Sequence, residues 1–403
     1  MKPAFVLSGH TMALGVVRAL GMMGVPVVVF YYDDHSMAQV SKYVKDSVKI
    51  PHPEQAERRC IEMLIRHSEK FGEGILFPVS DEAVAAVSRN KRLLEPFYTV
   101  ACPEWEITRR FLDKRNTYVL AKQHAIPAPR TFFPCSEQDL TRFIGGIEFP
   151  YLVKPCQSHL FHQRFGKKMF PVATPQQMLE AYRLARSSGL EVMLQEYIPG
   201  DDTQVVNYNA YAWEGRSLVE FTAAHVRNAP PFFGSPRVAV SRDIPEVLKP
   251  GRNILKALGF YGYACTEFKK DCRDGIFKLM EVNGRHNLST LLAVRCGINF
   301  PWLHYRHLMH GELPEAAAFE KEIYWIDLVR DVGYSLRYLA TEKYSPTQYL
   351  RPYAKPHVFA ILDRGDFRPF IRRISALVRK ISQSLRPGRE KQRNREPQIT
   401  LGK

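Results

Sequence analysis

Residues 264–287 read ACTEFKKDCRDGIFKLMEVNGRHN. Ala264 to Lys269 and Ile276 to Val282 each alternate apolar and polar residues, and the charged stretch Asp271–Gly275 between them carries an Asp-Gly turn signal. The segment therefore predicts a β-hairpin. Three metal-seeking side chains lie on it: Glu267 on the first strand, then Glu281 and Asn283 on the second. Being two apart, Glu281 and Asn283 share one face of a strand, and Glu267 can sit across from them. Two carboxylates and a carboxamide form a hard, all-oxygen, incomplete shell, which suits Mg²⁺ completed by water and substrate phosphates, with Mn²⁺ as a substitute. Arg285 continues the alternation, where a bidentate cation can hold a phosphate or a carboxylate. A surface hairpin with scattered charge is the competing account. It explains Lys269, Lys270 and Asp271, but not two acids within an apolar strand pair, where burial is costly without a cation.

The chain around this hairpin has 403 residues, enough for two or three subdomains and a sizeable core. Its 45% hydrophobic and 12% aromatic content is that of a folded globular protein. Seven cysteines are dispersed without any C-x-x-C, which argues for free thiols in a reducing compartment. No apolar run reaches the length of a transmembrane helix, and Ser8, Gly9, His10 and Arg18 interrupt any signal-peptide core. The expected location is the cytoplasm. Net charge is +16, and from Arg364 onward twelve Lys/Arg face three Asp/Glu, so the tail holds +9 and the body +7. A mildly basic body fits anionic ligands, and the absence of repeats and of zinc-finger or RNP-type patterns gives no case for nucleic acid.

From the N-terminus, strand 4–9, a helical pattern over His10–Met23 and strand 25–32 form a βαβ unit, which predicts a parallel sheet. The turn SGHTMALG lacks G-x-G-x-x-G, so no dinucleotide site is expected. Segment 48–50, a helix over 53–71, GILFPVSDE at 74–82, a helix over 82–94 and YTVACP at 98–103 continue the alternation. Ser80-Asp81-Glu82 falls at a strand's carboxyl end, where ligands collect in open α/β sheets and where helix N-caps also sit. A helix over 107–125 contains Asp113-Lys114. In FPYLVKPCQSH, Lys154 is a lone lysine in an apolar strand; it either meets an anion or snorkels from the strand end. Residues 157–168 form a basic, aromatic loop with a single glycine; His159 and His162 in it read as loop residues. In EVMLQEYIPGDD, 191–202, a strand ends at Gln195-Glu196-Tyr197-Ile198 before a Pro-Gly turn and two acids. Such an edge can read adenine through its backbone, with an acid just beyond it for ribose hydroxyls. Strands are expected over 204–224, a loop with Arg227, Arg237 and Arg242 over 225–243, and two helices split at Gly297 after the hairpin. His304, His307 and His310 share helical spacing without a carboxylate to complete a metal set.

In that order these stretches resemble the ATP-grasp superfamily, in its branch of carboxylate–amine ligases. The resemblance covers about residues 1–310. It implies an α/β protein with an α+β catalytic part: an N-terminal parallel-sheet domain over 1–110, a lid subdomain over 111–200, and a metal-bearing subdomain over 201–320. An extension with a basic helix follows over 321–403. It further implies that Lys114 and Lys154 contact ATP phosphates, that Gln195, Glu196, Tyr197 and Ile198 hold adenine, and that Asp202 takes the ribose. Glu267, Glu281 and Asn283 would bind Mg²⁺, and Arg285 would hold the carboxylate or the transferred phosphoryl group. Arg227 is carried over as a second catalytic cation. The glycine-poor loop 157–168 departs from the family pattern, with Lys167 or Lys168 standing in by charge.

The expected chemistry is ATP-dependent activation of a carboxylate as an acyl phosphate and its capture by an amine, both small molecules. An ATP-grasp kinase or carboxylase, and a nucleotide-binding scaffold at a membrane, are the other readings. Beyond the resemblance, Phe370, Ile371, Ile374, Leu377, Val378, Ile381 and Leu385 recur at spacings of three and four, with Arg372, Arg373, Arg379 and Lys380 opposite. Over 369–386 this predicts a basic amphipathic helix. With Arg389, Lys391, Arg393 and Arg395 behind it, the helix suits an anionic membrane face, or packs on its own body.

Overall fold

A computed structural model describes residues 1–384 other than 157–160, 162–163, 233, 339–341 and 343. The expected phosphate loop, with His159 and His162, and the basic stretch from Leu385 onward lie partly or wholly outside the described residues. Near the N-terminus, β1 (Ala4–Leu7), β2 (Val27–Tyr31), β3 (Val44–Lys49), β4 (Gly74–Pro78) and β5 (Tyr98–Val100) pair in parallel in the order β3-β2-β1-β4-β5. The central runs AFVL and VVVFY are apolar throughout because both faces of the sheet are covered. Helix Thr11–Gly21 covers the face bearing Ala4, Val6, Val27 and Val29. Helices Glu57–Phe71 and Asp81–Arg89 cover the face bearing Phe5, Leu7, Val28 and Phe30. The helices after β1 and β4 thus leave for opposite faces, and the carboxyl ends of those two strands frame a crevice.

A second, antiparallel sheet joins β6 (Thr131–Phe132), β7 (Tyr151–Pro155), β8 (Phe170–Val172) and β9 (Val192–Glu196) in the order β6-β9-β7-β8. Helices Glu137–Ile144 and Pro175–Ser187 close its core through Leu140, Met178 and Tyr182. The third sheet carries the opening hairpin. It joins β10 (Val205–Trp213), β11 (Arg216–Ala229), β12 (Ser235–Ser241), β13 (Gly262–Lys270), β14 (Phe277–Asn283), β15 (Tyr324–Ile326) and β16 (His357–Phe359) in the order β14-β13-β10-β11-β12-β15-β16. One face packs on helix Leu248–Leu258. The other shares a continuous core with helix Thr11–Gly21 and the parallel sheet, through Tyr211, Phe221 and Tyr263.

Three expectations change. The helix expected over 107–125 breaks at Asp113, whose side chain accepts from the Arg115 N–H and caps a new helix, Lys114–Gln123. Both halves pack with β14 and helix Leu248–Leu258, and the second also reaches the lid, the Lys114 N–H donating to Cys156 O at 3.3 Å and Arg115 Nη2 to Glu191 Oε2 at 3.1 Å. The loop expected over 225–243 is mostly strand, since β11 runs through Arg227 to Ala229 and β12 returns over Ser235–Ser241. Its prolines concealed the alternation of VAVS. Nor does the described part of the extension from 321 stand apart from the body, because β15 and β16 lengthen the third sheet. Its next segment is pinned to the N-terminal domain: Arg18 Nε meets Asp366 Oδ2 at 3.0 Å, and the same carboxylate accepts from Ser41 Oγ and the Lys42 N–H. Among the described residues no helix is long and apolar enough to cross a membrane.

Candidate active site

Antiparallel register brings the hairpin acids face to face: Glu267 pairs directly with Glu281, and Cys265 with Asn283. On the other side of β13, Asn207 is abreast of Glu267, and Asn209 of Cys265. Cross-strand partners point to one face, so two adjacent rows run across three strands: Asn207, Glu267, Glu281, and Asn209, Cys265, Asn283. Asn209 is used internally; its Oδ1 accepts from Tyr263 Oη at 2.8 Å and from Asn287 Nδ2 at 2.9 Å. Among the described residues the Asn283 carboxamide has no hydrogen-bond partner and Glu267 no ion pair. Asn207 escaped the sequence reading because only strand register, not spacing, places it beside Glu267.

Three lysines converge on this row. Lys114, the first residue of its helix, reaches Glu281 Oε1 at 2.8 Å. Lys154 on β7 is buried and donates to Gln195 Oε1 at 2.6 Å, while Gln195 Nε2 donates to Thr131 Oγ1 at 3.0 Å. Lys168 is exposed, yet its charge favours ionisation of both Glu267 and Glu281. Burial, then repulsion from Lys114, pulls the Lys154 ammonium down to about 7. Burial, then repulsion from Glu281, lifts the Glu267 carboxyl to about 7. For Glu281, burial opposes ionisation but the Lys114 ammonium outweighs it and brings the carboxyl to about 2. A half-buried acid destabilised by its neighbouring carboxylate is the environment a divalent cation relieves, so Glu267, Glu281 and Asn283 fit Mg²⁺.

No protein-family model matches the chain. It is 25% identical over 247 residues to a D-aspartate ligase of Enterococcus faecium (strain Aus0004), covering 58% of each chain. The chain thus spans little more than half the length of that relative. Its structure is similar to an L-amino acid ligase from Bacillus licheniformis, with TM-score 0.60 and 16% identity over 77% of this chain and 74% of the other. It is also similar to the biotin carboxylase domain of a Hydrogenobacter thermophilus 2-oxoglutarate carboxylase in complex with MgADP, ADP and bicarbonate. There the TM-score is 0.61 and the identity 16%, over 79% of this chain and 73% of the other. The likeness to these solved structures shows that the chain shares their fold.

The hinge between lid and third sheet is more tightly wired than its sequence implied. Gln195 is fully buried and holds Lys154, so its side chain positions that lysine rather than facing a base. Glu196 Oε1 accepts from Arg273 Nη2 at 2.6 Å and Oε2 from the Arg130 N–H at 3.0 Å, tying the lid to the hairpin turn. The Tyr197 ring lies under Lys269 Nζ, which in turn donates to Gly200 O at 2.9 Å. Gly200 turns at φ +113°, a conformation that favours glycine. Ile198 is buried, and among the described residues its backbone groups have no hydrogen-bond partner, as a base-reading edge requires.

Two roles that the resemblance implied are not matched by the geometry. Asp202 is buried, and its carboxylate is filled by the Asn228 N–H at 2.7 Å, Asn228 Nδ2 at 3.1 Å and the Phe232 N–H at 2.7 Å. It ties down the loop after β11 and offers no free edge to a ribose. Arg227 is fully buried and forks onto Asp331, Nε to Oδ1 at 2.9 Å and Nη2 to Oδ2 at 2.8 Å, beneath the Tyr349 ring. That pairing accounts for the buried cation without a ligand. Arg285 instead sits at the domain junction. It forks onto Asp81, Nε to Oδ1 at 2.6 Å and Nη2 to Oδ2 at 3.0 Å, and its Nη1 approaches Met12 Sδ at 3.5 Å. Asp81 follows β4 and Met12 follows β1, so Arg285 bridges the crevice between their carboxyl ends while feeling the Glu281 charge. Burial opposes the Arg285 charge, and Asp81 more than restores it. Two of the three helical histidines are core residues, while His310 is exposed: His304 packs edge-on to Phe77 and Tyr211, and His307 Nδ1 lies 2.8 Å from Tyr211 Oη.

Proposed function

We propose that the protein is an ATP-dependent ligase that joins a small-molecule carboxylate to an amine, using Mg²⁺. The observation that carries this reading is the row Glu267–Glu281, opposed across strands and met by Lys114 and Lys154 from two other elements. A carboxylate is a poor electrophile, and Mg·ATP supplies the phosphoryl group that converts it into an acyl phosphate. Glu267, Glu281 and Asn283 would hold the metal, and Lys114, Lys154 and Lys168 would meet phosphate charge as it spreads during transfer. The backbone at Ile198 would receive the base. Arg285, at the mouth of the β1–β4 crevice, would orient the carboxylate or the transferred phosphoryl group. The amine then attacks the acyl carbon, phosphate leaves with the bonding pair, and a proton is released to solvent. No protein nucleophile is required. The similarity to D-aspartate ligase and L-amino acid ligase supports an amino acid as one substrate.

The test is ADP release screened over pairs of amino acids with Mg²⁺ present, with products identified by mass. Amide plus ADP and phosphate is the expected result. A stable phosphorylated product, or turnover only with bicarbonate, would replace the ligase reading with a kinase or carboxylase at the same ATP site.

A further inference from the structure

Helix Arg368–Ser384 has no part in the proposed reaction. It carries five basic residues and no acid. Its first turns are held on the body: Phe370 packs against the shared core, Arg372 Nη2 donates to Asp34 O at 3.3 Å, and the Arg373 charge reaches Asp327. Beyond them the body lets go. Leu377, Val378 and Arg379 are all exposed, and consecutive residues point about 100° apart around a helix. These three residues sample more than half of the helix circumference, and all of it that they sample is open. Phe367, Ile371 and Val378 fall at spacings of four and seven along one line, with exposures of 47%, 53% and 58%, and Leu377 at 39% stands beside them. Arg372 and Arg379 lie on the far side of that line.

We propose that this helix docks the protein on an anionic lipid surface, its apolar line seated among the acyl chains and its cations at the headgroups. Charge complementarity selects the occupant. The helix and the residues beyond it carry a net charge of +9, which repels a second copy of itself. A nucleic acid would match the charge but leave exposed leucine and valine unused. The docked first turns would set the height of the body above the surface.

The full-length protein is sedimented with vesicles of phosphatidylcholine alone and with phosphatidylglycerol added. It should pellet only with the anionic vesicles, and 0.5 M salt should release it, about 0.5 M being enough to screen surface charge. Leu377→Glu/Val378→Glu, at two exposed positions and therefore without effect on the melting temperature, should lower the bound fraction about 10-fold. Failure of the wild type to pellet with anionic vesicles overturns the proposal. Equal pelleting by the double variant overturns the apolar anchor. Retention of a random oligonucleotide by wild type and double variant alike, with vesicles unbound, assigns the basic face to nucleic acid instead.

Discussion

Glu267 and Glu281 face each other across two strands and yet hold their protons differently. Burial and its neighbour's charge lift Glu267 to about 7, while Lys114 brings Glu281 to about 2. A metal shell built on that pair should depend on Glu281 for charge rather than shape. Glu281→Gln is expected to lower ADP release by ~10² or more with an unchanged denaturation midpoint; undiminished turnover in this variant would sink the metal assignment. Lys154 gives a pH-dependent signature. With an ammonium near 7 in the free protein, it is mostly neutral at pH 8, and polyphosphate beside it favours the charged form. Binding metal-free ATP at pH 8 should therefore take up about one proton, and affinity should fall as pH rises above about 7. Calorimetry in buffers of different ionisation enthalpy reads the uptake, which Lys154→Met should abolish. The acids, Asn283 and Lys154 were legible from alternation and from polar residues in apolar strands. Asn207 and the filled carboxylate of Asp202 were not, because register and the fold-back of a distant loop decide them.

At the scale of elements, the hairpin's turn works through side chains that no turn rule contains. Asp271 is buried, binds Arg273 and Lys278, and Arg273 passes the connection to Glu196 in the lid. Within EVNGR the glycine has a steric reason. A methyl on Gly284 would lie 2.4 Å from Phe111 Cζ and 2.8 Å from Phe260 Cε2, two packed rings. Gly284→Ala should cost about 1–3 kcal/mol by overpacking, read as a lower midpoint in urea at unchanged slope. Because Arg285 follows it directly, the same variant should weaken the acid substrate, seen as a raised KM. An unaltered midpoint would show that the rings move aside. Strand alternation made this hairpin readable, and the all-apolar runs did the same for the parallel sheet. The split of helix 107–125 was hidden by a residue good at both roles, since Asp113 caps the second helix without a proline or glycine to announce it.

Across the whole molecule, the seams rest on charge pairs that sequence order cannot reveal: Arg285 with Asp81 at the domain junction, and Arg18 with Asp366 between the two ends of the described chain. Both members of the second pair are buried, with side-chain exposures of 2% and 1%. Asp366→Ala leaves the Arg18 guanidinium without its counter-charge and should destabilise the protein by about 3–5 kcal/mol. Chemical denaturation measures it, and a loss below about 1 kcal/mol would mark the pair as effectively solvent-screened. The pair spans 348 residues. A ribosome adding about 5–20 residues each second makes Arg18 roughly 20–70 s before Asp366. Throughout that interval helix Thr11–Gly21 can seat its guanidinium on the sheet only by stripping water from an unpaired cation. The parallel sheet is thus synthesised well before the segment that completes its packing, and its outer helix waits on the distant aspartate for a counter-charge.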